Sequence, residues 1–256
     1  MNGIKNTFKK TIQRIFTFFW LGVFLYSAYQ LVTIGLDYWE NRKIMEEIQK
    51  EYRPELFAVE EAEESQMIRP QFLDLLKMNG DIVGWITIEN TPIDYPILQA
   101  EDNDYYLYRN YKHEKTRAGS IFLDFRNDVR QPDRNTIIYG HNMRDGSMFG
   151  ELDQYLNEEF FQENQIFYFD TLYDSYIVEV FSVYLTTTDF YYIETDFASD
   201  EEYLQFLRTI QNKSAIETDA VLDAKDRIIT LSTCDRGFNY EKGRLVVHGK
   251  LIKQGS

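Results

Sequence analysis

Between Arg14 and Asp37 the chain runs for 22 residues, IFTFFWLGVFLYSAYQLVTIGL, without a charge. Coiled as a helix at about 1.5 Å per residue, such a run reaches roughly 33 Å, enough to cross a bilayer core of roughly 30 Å. Trp20 lies within it, and Tyr38 and Trp39 fall where an interfacial aromatic belt would sit. A cleaved signal peptide would have a shorter apolar core and small residues at its cleavage site. The only small stretch, Tyr26-Ser-Ala, is mid-span, so the segment reads as an uncleaved signal anchor. Residues 1–36 carry Lys5, Lys9, Lys10 and Arg14 and no acidic side chain, a charge of +4, which leaves -19 of the total -15 on the rest. The positive-inside rule then puts the N-terminus in the cytoplasm and the remainder outside. The expected layout is a basic tail over 1–14, a transmembrane anchor over 15–36, an acidic helical stalk over 37–69 and an outer domain over 70–256.

With 42 acidic and 27 basic residues, the chain lacks the basic face that a nucleic-acid binder needs against phosphates. Its lone cysteine, Cys234, excludes an internal disulfide framework and any cysteine-rich zinc or iron–sulfur site. An acidic outer domain with one cysteine suits a bacterial cell surface.

After the anchor, Tyr38, Ile44, Met45, Ile48 and Tyr52 recur at near-helical spacing. They predict a helix to Pro54, then a looser acidic linker to Pro70, read as a solvated stalk. The alternative is a helix that packs on the domain. From residue 70 the texture changes. Phe72, Leu73, Leu75 and Leu76 predict a short helical turn ending near Asn79-Gly80. Apolar runs with alternating pattern then predict eight strands, at Ile82–Ile88, Asp94–Leu98, Gly119–Leu123, Thr136–Tyr139, Ile166–Phe169, Tyr176–Leu185, Arg227–Leu231 and Leu245–Ile252. Helical insertions are expected near 103–110, 147–157 and 200–212. The last has an apolar face of Tyr203, Leu204, Phe206, Leu207 and Ile210, with Ser199 as cap and Glu202 three residues on. The fold is therefore mainly β, an eight-stranded barrel or sandwich with helices in its loops.

A single cysteine outside the cell can pair with nothing internally. Cys234 closes the run Arg227-Ile-Ile-Thr-Leu-Ser-Thr-Cys, and period-two alternation puts Ile228, Thr230, Ser232 and Cys234 on one face. The thiol stands at the lip of a strand, before a polar loop, where a rigid element holds it and solvent reaches it. An unassisted thiol near pKa 8.5 is only about 3% ionised at pH 7, and a neighbouring His⁺ or Arg⁺ raises that fraction. Of the three histidines, His113 lies in a charged loop and His248 in the last strand, where a packed histidine is expected. His141 follows Thr136-Ile-Ile-Tyr-Gly at another strand's lip, with Gly140 permitting a sharp bend. Arg244 opens the final strand ten residues after Cys234, far enough for the two strands to lie side by side. There it could stabilise an oxyanion; the bland alternative is an edge salt bridge with Asp226.

These segments also resemble a known family. Thr230-Leu-Ser-Thr-Cys234 is similar to the sortase signature Thr-Leu-x-Thr-Cys, Asn135-Thr-Ile-Ile-Tyr-Gly-His141-Asn-Met to its histidine segment, and Arg244-Leu-Val-Val-His-Gly-Lys-Leu to its arginine strand. The resemblance spans about residues 70–254 in family order. The long stretch from Thr186 to Asp226 and the Met148-Phe-Gly-Glu-Leu segment resemble class B sortases.

The resemblance implies a sortase-type eight-stranded β-barrel and a transpeptidase. Cys234 would attack the Thr carbonyl of a secreted protein's C-terminal sorting signal and form a thioester. His141 would protonate the departing amine and take a proton from the incoming one, and Arg244 would hold the oxyanion. Family members are thought to react through a minority thiolate–imidazolium form, whose pKa values belong to the pair. The acceptor would be a peptidoglycan precursor or other cell-wall amine. The 186–212 loop should line the signal groove, with Ser232, Thr230, Thr233 and Tyr192 as expected substrate contacts. No metal and no cofactor are expected. A thiol protease, a pilin-polymerising sortase and a non-enzymatic surface binding module are the alternatives.

Overall fold

Alternating apolar residues beyond residue 80 face a common core, and the strands they define close on themselves. The computed structural model describes residues 2–52, 67–131, 133–235 and 237–254. Eight strands, β1 (Ile82–Thr87), β2 (Asp94–Leu98), β3 (Ile121–Leu123), β4 (Asn135–Tyr139), β5 (Ile166–Thr171), β6 (Ser175–Thr187), β7 (Ile228–Cys234) and β8 (Gly243–Lys253), form a closed barrel. Its order is β1-β2-β3-β4-β7-β8-β6-β5. The β2–β3 and β4–β7 pairs are parallel and the others antiparallel. Closure decides for a barrel over a sandwich and leaves no strand edge to manage.

The strand at the reactive end differs from expectation in one useful way. β7 does not stop at Leu231 but continues through Ser232 and Thr233 to Cys234, because β8 starts early, at Gly243, and pairs with it throughout. Polar residues stay in the ladder because a neighbouring strand satisfies their backbone groups.

Of the helices, α1 covers Asn2–Gln49, α2 Leu73–Met78, α3 Glu158–Glu163 and α4 Asp200–Asn212. Ser199 caps α4 by accepting from the Glu202 amide, as the sequence predicts, and the Glu202 carboxylate returns to the Ala198 amide at 2.7 Å. Tyr203, Leu207 and Ile210 on its inner face pack with Phe181, Tyr184, Ile228 and Val246, so α4 roofs part of the outer surface of β6, β7 and β8. The six-residue α3 is not foreseen; Asn157 starts it by accepting from the Glu159 and Phe160 amides. Single turns of 3-10 helix at Pro70–Phe72, Tyr106–Tyr108 and Leu152–Leu156 occupy the other expected helical regions.

The chain divides into two compact units, Met1–Ile44 and Met45–Ser256. The described residues of the first are helical, and Gln13–Gln49 is long and apolar enough to cross a membrane by length and composition, with none of its apolar window buried in protein. The second begins earlier than the expected 70. Met45, Ile48 and Tyr52 are buried in it, so this stretch packs as part of the barrel unit instead of standing in solvent as a stalk. Tyr52 stacks on Trp85 with ring centroids 4.2 Å apart, and its hydroxyl donates to Asp170, which also pairs with Arg69. The centre of the expected acidic linker, 53–66, lies outside the described residues. Tyr52→Ala is expected to destabilise the barrel unit by about 3 kcal/mol, and Tyr52→Phe, which loses only the hydrogen bond, by about 1 kcal/mol. Urea unfolding measures both; equal losses would mean that the stacking contributes nothing.

Candidate active site

The barrel order sets the site, because β4, β7 and β8 are consecutive neighbours. Cys234 at the end of β7 is the direct register partner of Arg244 on β8. Directly opposed residues of an antiparallel pair share a face, with Cβ atoms roughly 5 Å apart. On the other side, β4 runs parallel to β7 with Tyr139 opposite Ser232, and the Gly140 amide extends the ladder to the Ser232 carbonyl at 3.3 Å. His141 and Cys234 each lie two residues beyond that pair. The three residues thus stand at the ends of successive strands, on one end of the barrel, the thiol in the middle. All three are partly exposed, whereas Ile228–Thr233 leading to the thiol are buried.

Each member of this row is held in place. The loop after Cys234 is closed by Asp235 and Asn239: the Asp235 amide donates to the Gly243 carbonyl at 2.9 Å, and Asn239 Oδ1 accepts from the Lys242 amide at 2.8 Å. A Cβ on Gly243 would overlap the Asp235 carbonyl oxygen, so this return admits only glycine. Gly140 is needed for packing, not for the bend expected of it; a Cβ there would run into Ile121 and lie 2.8 Å from the Phe149 ring. Buried Met148 and Phe149 anchor the segment after His141, with the Phe149 amide donating to the His141 carbonyl at 3.0 Å.

His141 Nε2 lies 2.7 Å from the Leu107 carbonyl. A carbonyl only accepts, so Nε2 carries the hydrogen and Nδ1 is the basic nitrogen of the neutral ring. A backbone carbonyl therefore does the orienting that a carboxylate does in a Ser-His-Asp triad. Nothing in the sequence signals it. Arg244 does not take the bland alternative, since Asp226 pairs with Lys250 at 2.9 Å; its Nη1 donates to the Gly243 carbonyl at 2.8 Å.

The expected substrate contacts separate along one strand face. α4 packs over Ile228, Asn135 and His248 enclose Thr230, Tyr192 covers Ser232, and Cys234 is left open. Thr230 is fully buried and its hydroxyl donates to Asn135 Oδ1 at 2.6 Å, so it lies inside the wall instead of on a surface that a peptide could reach. Sequence parity places it correctly; its burial between Asn135 and His248 is what alters its role. Thr233 points to the opposite face and is buried, with no hydrogen-bond partner for its hydroxyl. Tyr192, from the connection after β6, does reach the site. Its hydroxyl is 2.8 Å from Ser232 Oγ. Burial pushes this phenol above its ordinary range, opposed by the Ser232 hydrogen bond and by Arg244, while negative charge on Cys234 would push the same way as burial. Tyr192, Ser232, Cys234 and Arg244 therefore share one electrostatic neighbourhood.

The other two histidines are placed as expected. His113 is exposed in its loop, and His248 is fully buried between Tyr184, 2.8 Å from Nε2, and Thr230, 2.9 Å from Nδ1.

Comparison with known proteins agrees with this geometry. A family model described as the sortase domain matches residues 86–252. The chain is 47% identical over 235 residues to sortase B of Listeria monocytogenes, covering 91% of this chain and 93% of that one. Among solved structures, sortase B from B. anthracis in complex with AAEK1 superposes with a TM-score of 0.76 at 55% identity, covering 86% of this chain and 99% of that one. The Staphylococcus aureus sortase B–substrate complex gives a TM-score of 0.78 at 40% identity, covering 86% and 100%. With family model, sequence relatives and barrel in agreement, the chain belongs to the sortase family and is a cysteine transpeptidase of the class B kind.

Proposed function

We propose that this transpeptidase cleaves a C-terminal sorting signal of secreted proteins after Thr and joins the new carboxyl end to a cell-wall peptidoglycan amine. The observation that carries this reading is the row His141, Cys234, Arg244 at the ends of three neighbouring strands. In the first step Cys234 Sγ bonds to the Thr carbonyl carbon, the C–N bond of the signal breaks, and the departing amine takes a proton from His141. In the second, the acceptor nitrogen attacks the thioester, gives its proton to His141, and the C–S bond breaks to restore the thiolate. Arg244 faces the carbonyl oxygen while it carries negative charge in both tetrahedral intermediates. Tyr192, held over Ser232, borders the groove that holds the signal. The apolar helix with basic residues before it anchors the enzyme in a single pass, N-terminus inside and barrel outside, within reach of both substrates.

The full chain in detergent, incubated with a library of sorting-signal peptides with and without triglycine, tests this. Mass spectrometry is expected to show cleavage after Thr, a thioester on Cys234 and an amide with the added amine. Acid product alone, however much amine is present, would make the enzyme a thiol protease. Amide formation only with a pilin lysine would make it a polymerising sortase. No cleavage and no adduct across the library would overturn the reading.

A further inference from the structure

Residues 191–197 belong to no helix or strand, yet they carry Tyr192 to the thiol. Their backbone carbonyls are held by side chains instead of by a ladder. Asn135, at the start of β4, donates Nδ2 to the Glu194 carbonyl at 2.9 Å and, more weakly, to the Tyr192 carbonyl at 3.5 Å. From the turn after β3, Arg126 donates Nη2 to the Ile193 carbonyl at 3.0 Å and Nη1 to the Tyr191 hydroxyl at 3.1 Å. Three successive carbonyls are thus gripped from the start of β4 and from the turn that follows β3.

Both grips are themselves fixed. Arg126 forms a fork on Asp124, Nε to Oδ1 and Nη2 to Oδ2, each 2.8 Å. The Asp124 side chain is fully buried, and Tyr139 and Asn103 also donate to it. Asn135 is fully buried too, its Oδ1 occupied by Thr230. A guanidinium can serve two carboxylate oxygens and two further acceptors at once because it has five donors in one plane; an ammonium cannot.

We infer that Arg126 and Asn135 are positioning residues for transpeptidation, which clamp segment 191–194 so that the Tyr192 hydroxyl stands at Ser232 beside Cys234 and Arg244. This rests on the proposed reading of Cys234, Arg244 and Tyr192. Neither clamp residue touches the reacting atoms. Their contribution is to keep an irregular segment in the geometry that the substrate meets, so that no ordering is required at each turnover.

Arg126→Lys keeps a positive charge opposite Asp124 but gives up the span to Ile193. It is expected to lower kcat/KM for a sorting-signal peptide about tenfold and to change Tm by less than about 3 °C. If Arg126 acts through Tyr192, the same change made in a Tyr192→Phe background should cost less than about twofold. Hydrogen exchange over residues 189–197 should accelerate in Arg126→Lys while β7 stays protected, a readout that needs no turnover. Tyr191→Phe, a half-exposed change that cannot unfold the barrel, removes one of the two Arg126 contacts and should give a smaller loss, about twofold, also absorbed in the Tyr192→Phe background. Additive losses in the double variants, or unchanged exchange over 189–197, would overturn the clamp. A wild-type enzyme that cleaves no signal would overturn the proposed function instead, and the exchange comparison would still decide the clamp.

Discussion

Cys234→Ala is expected to abolish both cleavage and thioester formation, lowering kcat/KM by at least about 10⁴-fold, while leaving Tm within about 2 °C of wild type. The first half follows from covalent catalysis: without Sγ there is no acyl-enzyme, and the other groups act only on that intermediate. The second follows from position, since Cys234 is half-exposed at the end of β7 and its removal opens no core cavity. Arg244→Ala should cost less, about 10²–10³-fold, mostly in kcat, because an oxyanion forms only along the reaction path. Arg244→Lys should not restore it, for a point charge does not reproduce the planar fork. Single-turnover kinetics with mass detection of the adduct separates the cases: no adduct for Cys234→Ala, slow adduct formation for Arg244→Ala. Cleavage at more than about a hundredth of the wild-type rate by Cys234→Ala would show that a different group does the chemistry.

How much of this could be read from the sequence depends on the range of the interaction concerned. Period-two alternation is local, and it placed Ile228, Thr230, Ser232 and Cys234 on one face correctly. The offset of ten residues from Cys234 to Arg244 was enough to foresee paired strands, and the structure makes the two direct partners. What covers a face is not local. The apolar side of α4 was plain from Tyr203, Leu207 and Ile210, but not that it packs on Ile228 at the start of β7, nor that Asn135 and His248 take Thr230 out of the substrate's reach. The same limit applies at Met45, Ile48 and Tyr52, whose spacing fits a free helix as well as a docked one until Trp85 and Asp170 are seen beneath Tyr52. The Leu107 carbonyl on His141 leaves no side-chain signature at all. Arg126 and Asn135 carried no pattern pointing to segment 191–194, which lies more than fifty residues further on.

The buried chain of hydrogen bonds behind the site makes the second large prediction, a stability that falls with acidification well before ordinary carboxylates titrate. Asn135 gives its amide hydrogens to the loop carbonyls, so its Oδ1 accepts from the Thr230 hydroxyl. That hydroxyl has spent its one hydrogen, so it accepts from His248 Nδ1–H, and His248 Nε2 accepts from the Tyr184 hydroxyl. One neutral tautomer of His248 satisfies every group. Protonating it would turn Nε2 into a donor against the Tyr184 oxygen in a fully buried site, and burial holds its pKa down at about 3. An unfolded histidine titrates near 6.5. From pH 6.5 down to about 3 the unfolded chain therefore binds a proton that the folded chain refuses, and folding stability drops as pH falls, approaching about 1.4 kcal/mol per unit. Asp124 acts in a lower window: burial raises its pKa, but hydrogen bonds from Arg126 and Tyr139 outweigh that and hold it below the ordinary carboxylate range. Its contribution is complete above pH ~4 and is lost only as pH falls through the depressed value. Between pH 6.5 and 4.5, then, the difference in slope between wild type and His248→Gln isolates the histidine. The glutamine can still donate to Thr230 and accept from Tyr184, but it cannot titrate. Urea unfolding across that range should lose close to one proton's worth of slope in the variant, and identical slopes would mean that His248 protonates as readily folded as unfolded.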